Sequence, residues 1–126
     1  MSNRVATAVA ASTSAPTSPE TQVAFVGPGT LNPSTIPVIV NAQLALVGAS
    51  SVTGVTVKIR RGNGITGSTL ASMLVPVAGA VSEPAALGYV DTAYDGTGYS
   101  LTVTAAGAAA TCGPGFIEAQ PLQGSF

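Results

Sequence analysis

From residue 22 onward, Val, Ile, Leu and Thr come in short runs, and Gly or Pro cuts them about every eight to twelve residues. This punctuation constrains the fold more than any other feature of the chain. A surface helix needs an apolar stripe at a period of about 3.6 residues, and no window sustains one. The runs predict strands at 22–27, 35–40, 43–48, 52–61, 69–75, 80–90, 98–105 and 115–120. The breaks fall at Gly27-Pro28-Gly29, Asn32-Pro33, Asn41, 48–51, Gly62-Asn63-Gly64, Pro76, Asp95-Gly96 and Gly113-Pro114-Gly115. Gly supplies positive φ, Pro presets φ, and Asn and Asp tolerate the left-handed region. The Ala-rich stretch 105–110 follows a strand and contains Gly107, so it reads as a loop. Such a series of short strands suits an all-β, jelly-roll-like antiparallel β-sandwich of about eight strands. An immunoglobulin-like strand order is the alternative.

The best strand also carries the most suggestive motif. Val55, Val57 and Ile59 alternate with Thr56, Lys58 and Arg60, and alternate residues share a face. The six residues that follow Arg61, GNGITG, spell the G-x-G-x-x-G of dinucleotide-binding loops. That motif needs a fully apolar parallel strand before it and a long helix after it. Here the strand is half polar, and Pro76 ends the segment after Gly67 within two turns. GNGITG therefore reads as a glycine-rich connection between antiparallel strands, with Asn63-Gly64 as a hairpin signal.

Residues 1–21 are Ala, Ser, Thr and Pro with almost nothing to bury, and form an extended N-terminal arm ahead of a β-sandwich domain over 22–126. Arg4 and the apolar run from Val5 to Ala11 resemble a leader sequence, but Thr7 interrupts the run. Such a polar segment stays ordered only when tied down, and a neighbouring subunit is the expected anchor. Arg4, Val5, Pro16 and Pro19 are its candidate contact residues. No stretch approaches the ~20 apolar residues of a membrane-spanning helix.

Charged residues make up 7% of the chain, against about 25% in ordinary soluble domains. The four cations are too few to neutralise many phosphates, so nucleic acid is not an expected partner. So little charge gives a free monomer weak protection against association, and predicts surface hidden against partners.

The chemistry available is narrow. The chain has no histidine, which removes the usual general base and the Ser-His-Asp triad. Its one cysteine, Cys112, allows neither an intrachain disulfide nor a multi-cysteine metal site, and reads as a small half-buried hydrophobe. Asp91 and Asp95, four apart in VDTAYDGTGY, fit a solvated turn better than a cation site or an acid/base pair. Glu83 and Glu118 read as surface or interface charges. No catalytic, cofactor or metal residues are assigned, and no cofactor is expected. Lys58, Arg60 and Arg61 form the basic cluster, either the solvated side of a strand or a contact for an acidic partner or glycan. Tyr94 and Tyr99 flank the Asp95-Gly96 turn, as strand-end packing or a small contact patch. Phe25 and Phe116 are assigned to the core.

Two stretches carry a resemblance. VTGVTVKIRRGNGITGSTL (52–70) and GYSLTVTAAGAAATCGPGFIEAQPL (98–122) look like strands of small structural proteins in tailed-bacteriophage virions. The first is similar to their charged strand followed by a Gly/Thr hairpin, the second to their closing strands. The same layout occurs in jelly-roll, TNF-like trimeric head and decoration proteins. The resemblance implies a jelly-roll subunit of a virion, assembled in the host cytoplasm, without catalytic residues. Its partners would be sister copies, with a trimer favoured, and a major capsid or other virion protein. The expected function is a capsid decoration or cement protein that docks through its arm and self-associates. The alternative is a glycan- or receptor-binding head.

Overall fold

The structure, a computed structural model, describes residues 6–27, 37–48, 51–77, 82–94 and 96–121. Every regular element among them is a strand: β1 (Ala6–Ala10), β2 (Thr13–Ala15), β3 (Thr21–Val26), β4 (Val38–Val47), β5 (Gly54–Arg61), β6 (Thr69–Val75), β7 (Ser82–Asp91), β8 (Tyr99–Ala106) and β9 (Ala110–Pro121). They form two sheets. The first runs β1-β9-β4-β7, with β2 also pairing β9, and the second runs β3-β8-β5-β6. Every pairing is antiparallel. Apart from β1–β2 and the β5–β6 hairpin, each strand is followed by one in the opposite sheet. That alternation is jelly-roll topology, and it settles the strand order that sequence left open.

The core lies between the sheets. Val40, Leu46, Val55, Val57, Ile59, Leu101, Val103 and Ile117 are fully buried. Each such side chain contributes about 1.5–3 kcal/mol by leaving water. The stripe Val55, Val57, Ile59 is one inner face, as alternation predicted.

Two boundaries differ from the sequence reading. The predicted strands 35–40 and 43–48 are one strand, β4, and Asn41 does not break it. Val38, Val40, Ala42, Leu44 and Leu46 point inward, while Asn41 lies on the outer face. β4 is flanked by both β7 and β9, so ladder hydrogen bonds on two sides override the weak strand propensity of Asn. β9 begins at Ala110, inside the stretch read partly as loop, and runs through Gly113-Pro114-Gly115. Gly115 pairs with Leu44 and Cys112 with Leu46, so Gly113 and Pro114 together oppose Ala45. This bulge accommodates the proline without ending the strand.

GNGITG joins β5 to the antiparallel β6, with Gly62 at φ 89° and Gly64 at φ 116°. The Arg61 N–H donates to the Ser68 carbonyl at 2.9 Å, closing the loop. Gly64 N–H also donates to Ser100 Oγ at 3.1 Å, which ties the loop to β8.

The described part of the polar N-terminal segment is paired within its own chain. Ala6 to Ala10 pair with Ala119 to Gly115 of the same chain, and Thr13 to Ala15 pair with Cys112 to Ala110. β9 offers a free edge there, and backbone pairing needs no apolar side chains. The chain then crosses to the second sheet. Ala15 is fully buried, and the Ala105 N–H donates to the Pro16 carbonyl at 2.9 Å. Residues 6–20 thus close one open side of the sandwich.

Candidate interaction surface

Lys58, Arg60 and Arg61 all lie on β5 of the second sheet, and the two arginines are each paired with a carboxylate of the same chain. Arg60 projects from the outer face of β5, opposite Ser100 of β8, with Lys58 opposite Thr102. Its Nε donates to Glu20 Oε2 at 2.7 Å, its Nη2 to Glu20 Oε1 at 2.7 Å, and its Nη1 to the Gly67 carbonyl at 2.7 Å. Thr102 Oγ1 also donates to Glu20 Oε2. The two-pronged geometry matches a planar guanidinium to a carboxylate. The bond from Arg60 holds the Glu20 carboxyl below its ordinary pKa; burial opposes this, and Thr102 reinforces it. Lys58, half-buried on the same face, adds a weaker pull on Glu20.

Arg61 ends β5 and turns to a different acid. Its Nη2 donates to Asp91 Oδ1 at 2.6 Å and its Nε to Oδ2 at 3.3 Å. Tyr99 OH donates to Asp91 Oδ2 at 2.8 Å, and the Ala93 N–H to Oδ1 at 2.9 Å. Asp91 is 1% exposed. Burial pushes its pKa up, but the Ala93 N–H, Arg61 and Tyr99 outweigh that and hold it below the ordinary value. The same burial, with the Asp91 bond, drives the Tyr99 phenol well above its ordinary value. Tyr94 stacks on Tyr99 with ring centroids 5.3 Å apart.

The predicted site residues therefore separate. Tyr94 and Tyr99 are both buried, as strand-end packing. Arg60 and Arg61 are half-buried and each grips a carboxylate. Pro16 is half-buried, and Pro19 is exposed, its carbonyl accepting from Thr21 Oγ1 at 3.3 Å. Arg4, Val5 and Asp95 lie outside the described residues. Both Asp91 oxygens already accept hydrogen bonds, and the adjacent guanidinium opposes a cation there. Cys112 is fully buried, which pushes its thiol up to about 11.

The surface that sequence missed is the outer face of the first sheet. Phe116, assigned to the core, is half-buried and faces outward; Ile117 and Ala119 are the inward residues of β9. Phe25 is likewise half-buried rather than core. Register places Val9, Phe116, Gln43 and Ala86 in one row across β1, β9, β4 and β7. Around this row, Ala45, Pro84 and Pro114 line a shallow groove of about 520 Å³. A second recess of about 350 Å³ adjoins it, lined by Asn41, Gln43, Gly88, Phe116 and Glu118. Val9 is 81% exposed and Val90 49%. Glu118 is the one charged residue among the described outward positions of this sheet. A signal did exist: Phe116 shares its strand parity with Glu118 and Gln120, opposite to Ile117 and Ala119.

No protein-family model and no curated protein sequence matches the chain. Solved structures do. A capsid chain of the infectious bursal disease virus particle superposes with a TM-score of 0.65 at 11% identity, over 96% of this chain and 31% of the virus chain. The present chain thus spans about a third of that capsid protein. The Eiger TNF of S. frugiperda superposes with a TM-score of 0.60 at 14% identity, over 100% of this chain and 96% of its own. The PRD1 vertex protein P5 superposes with a TM-score of 0.58 at 9% identity, over 98% and 74%. At these identities the shared property is the fold, a jelly roll common to viral capsid proteins and TNF-like domains.

Proposed function

We propose that the chain is a non-enzymatic structural subunit of a virus particle, a decoration or cement protein of a bacteriophage capsid, that self-associates through the outer face of its first sheet. A trimer is the favoured state, and the assembled virion is its location. The observation that carries this reading is the groove-bearing face itself: apolar at Val9, Phe116, Ala45 and Pro84, with Glu118 as its described charge. Exposed apolar patches of this kind, rimmed by polar groups, mark association surfaces. The fold shared with virus-particle proteins supports the setting. The test is Phe116→Glu. Because the side chain faces outward, the variant folds, and its solution mass falls from oligomer to monomer. An unchanged mass rejects the face as the interface.

A second reading, a glycan-binding head, draws on the smaller recess. There the amides of Asn41 and Gln43 and the Glu118 carboxylate surround the Phe116 ring, polar partners for sugar hydroxyls beside an apolar face. A glycan array in which Asn41→Ala and the unaltered chain are equally silent removes it.

A further inference from the structure

We infer that residues 6–14 exchange between copies: the arm of one subunit pairs with β9 of its neighbour in place of the neighbour's own arm. The inference rests on the self-association proposed above. Thr7 and residues 11–14 are exposed, Ala8 is half-buried, and Val9 is 81% exposed. Among its described side chains, only Ala8 packs against the core. What holds it is the backbone ladder from Ala6↔Ala119 to Ala10↔Gly115 and from Thr13↔Cys112 to Ala15↔Ala110. Edge segments with few buried apolar contacts open at low free energy.

The root behaves differently. Ala15 is fully buried, Pro16 accepts from Ala105, and Glu20 is gripped by Arg60. When the arm lifts, it hinges at residue 15 and the sandwich stays closed behind it. The vacated edge is shaped for this strand. A Cβ on Gly113 would stand 2.5 Å from the Ala11 carbonyl oxygen, so the glycine makes room for the arm's backbone. A second copy carries the same strand in the same register, and it is the occupant that fits.

Transfer in register needs two β9 edges side by side, because Thr13 stands only two residues from the hinge at Ala15, about 7 Å of extended chain at roughly 3.3 Å per residue. The bonds broken and formed are identical, so proximity decides the balance. Exchange is negligible in dilute solution and grows when copies stand side by side.

Cys112 supplies the test, because it is fully buried and opposes Thr13 in register. Contact between outer faces cannot reach it; only a strand lying on β9 can. Thr13→Cys in the otherwise intact chain is the control, and closes internally with oxidised glutathione. A chain carrying Thr13→Cys with Cys112→Ala is then mixed with the unaltered chain. Neither can close on itself. Exchange yields a disulfide joining position 13 of one chain to Cys112 of the other, identified by peptide mass, and its yield rises with protein concentration. If the control closes but no such cross-chain link forms at concentrations where the protein is oligomeric, exchange is overturned while self-association stands. A control that fails to close also overturns it, since the register is then absent. A protein that stays monomeric throughout and forms no link removes both proposals.

Discussion

The two outer faces of the sandwich have the same origin and opposite solutions. On the second sheet, β5 and β8 present Lys58, Arg60, Ser100 and Thr102, and the chain covers part of them itself. Glu20 is laid across Arg60 and Thr102, so Thr102 is fully buried on an outward position. On the first sheet, β4, β7 and β9 present Gln43, Ala45, Pro84 and Phe116, and no described segment covers them. One face is covered over β5 and β8 by the chain's own polar network, with Leu74 of the edge strand β6 left exposed. The other is left apolar and open, which is how a subunit keeps a surface for other molecules. The chain's scarce charge is therefore placed, not merely low. Arg60 and Glu20 are spent on the closed side, while Arg61 and Asp91 bridge the ends of the two sheets.

The largest effect should come from breaking the most buried ion pair, Arg61–Asp91, which bridges the ends of the two sheets. Asp91→Ala leaves Arg61 and Tyr99 without their carboxylate, and losing one partner of a buried pair costs about 3–5 kcal/mol. Thermal unfolding should show a marked fall in Tm, with little change in association until the fold is lost. Next, Phe116→Glu should do the reverse. Stability should change by about 1 kcal/mol or less, as for exposed sites, while light scattering records loss of the oligomer. A variant that loses stability and keeps its mass would erase the contrast between the faces.

Glu20→Gln keeps the shape of the clamp and removes its charge. The pair is partly exposed, so the cost should be about 1 kcal/mol, read from denaturant midpoints. Acid gives the same comparison without mutation. Glu20 and Asp91 are both held below their ordinary values of 4.5 and 3.8. Carboxyls depressed by folding stabilise fully above those values and lose the contribution as pH falls through the lower folded ones. Unfolding midpoints should thus be flat above about pH 5 and fall below it. The fall should shrink in the Glu20→Gln variant. A midpoint independent of pH between 5 and 2 would reject the clamp as a stabilising element. The smallest effect belongs to Lys58→Glu, half-buried beside a satisfied network, with a change of about 0.5 kcal/mol or less.

Much of the fold was legible because strands announce themselves by alternation and by glycine and proline. β5 and β6 fall at or near their predicted limits, and the stripe Val55, Val57, Ile59 is an inner face. Asn41 misled because its propensity is local, whereas two flanking strands decide what β4 does. Pro114 misled because a bulge is a property of the pair of strands, not of the residue. The arm's pairing was hidden for a related reason. Backbone ladders leave no trace in side chains, so a segment of Ala, Ser and Thr can be ordered without looking so. The candidate surface was half visible. Its residues carry the parity of Glu118 and Gln120, but aromatic side chains are usually assigned inward, and Phe116 was assigned that way. The partners of Arg60 and Arg61 could not be read, since Glu20 and Asp91 reach them only through the crossing of the chain between sheets.

The most direct test of the open face is the mass of the purified protein in solution, by light scattering over a concentration series, for the unaltered chain beside Phe116→Glu. The expected result is an oligomer near three times 12.2 kDa for the first and a folded monomer for the second. An unaltered chain that stays monomeric at every concentration, or two proteins of equal mass, would contradict it.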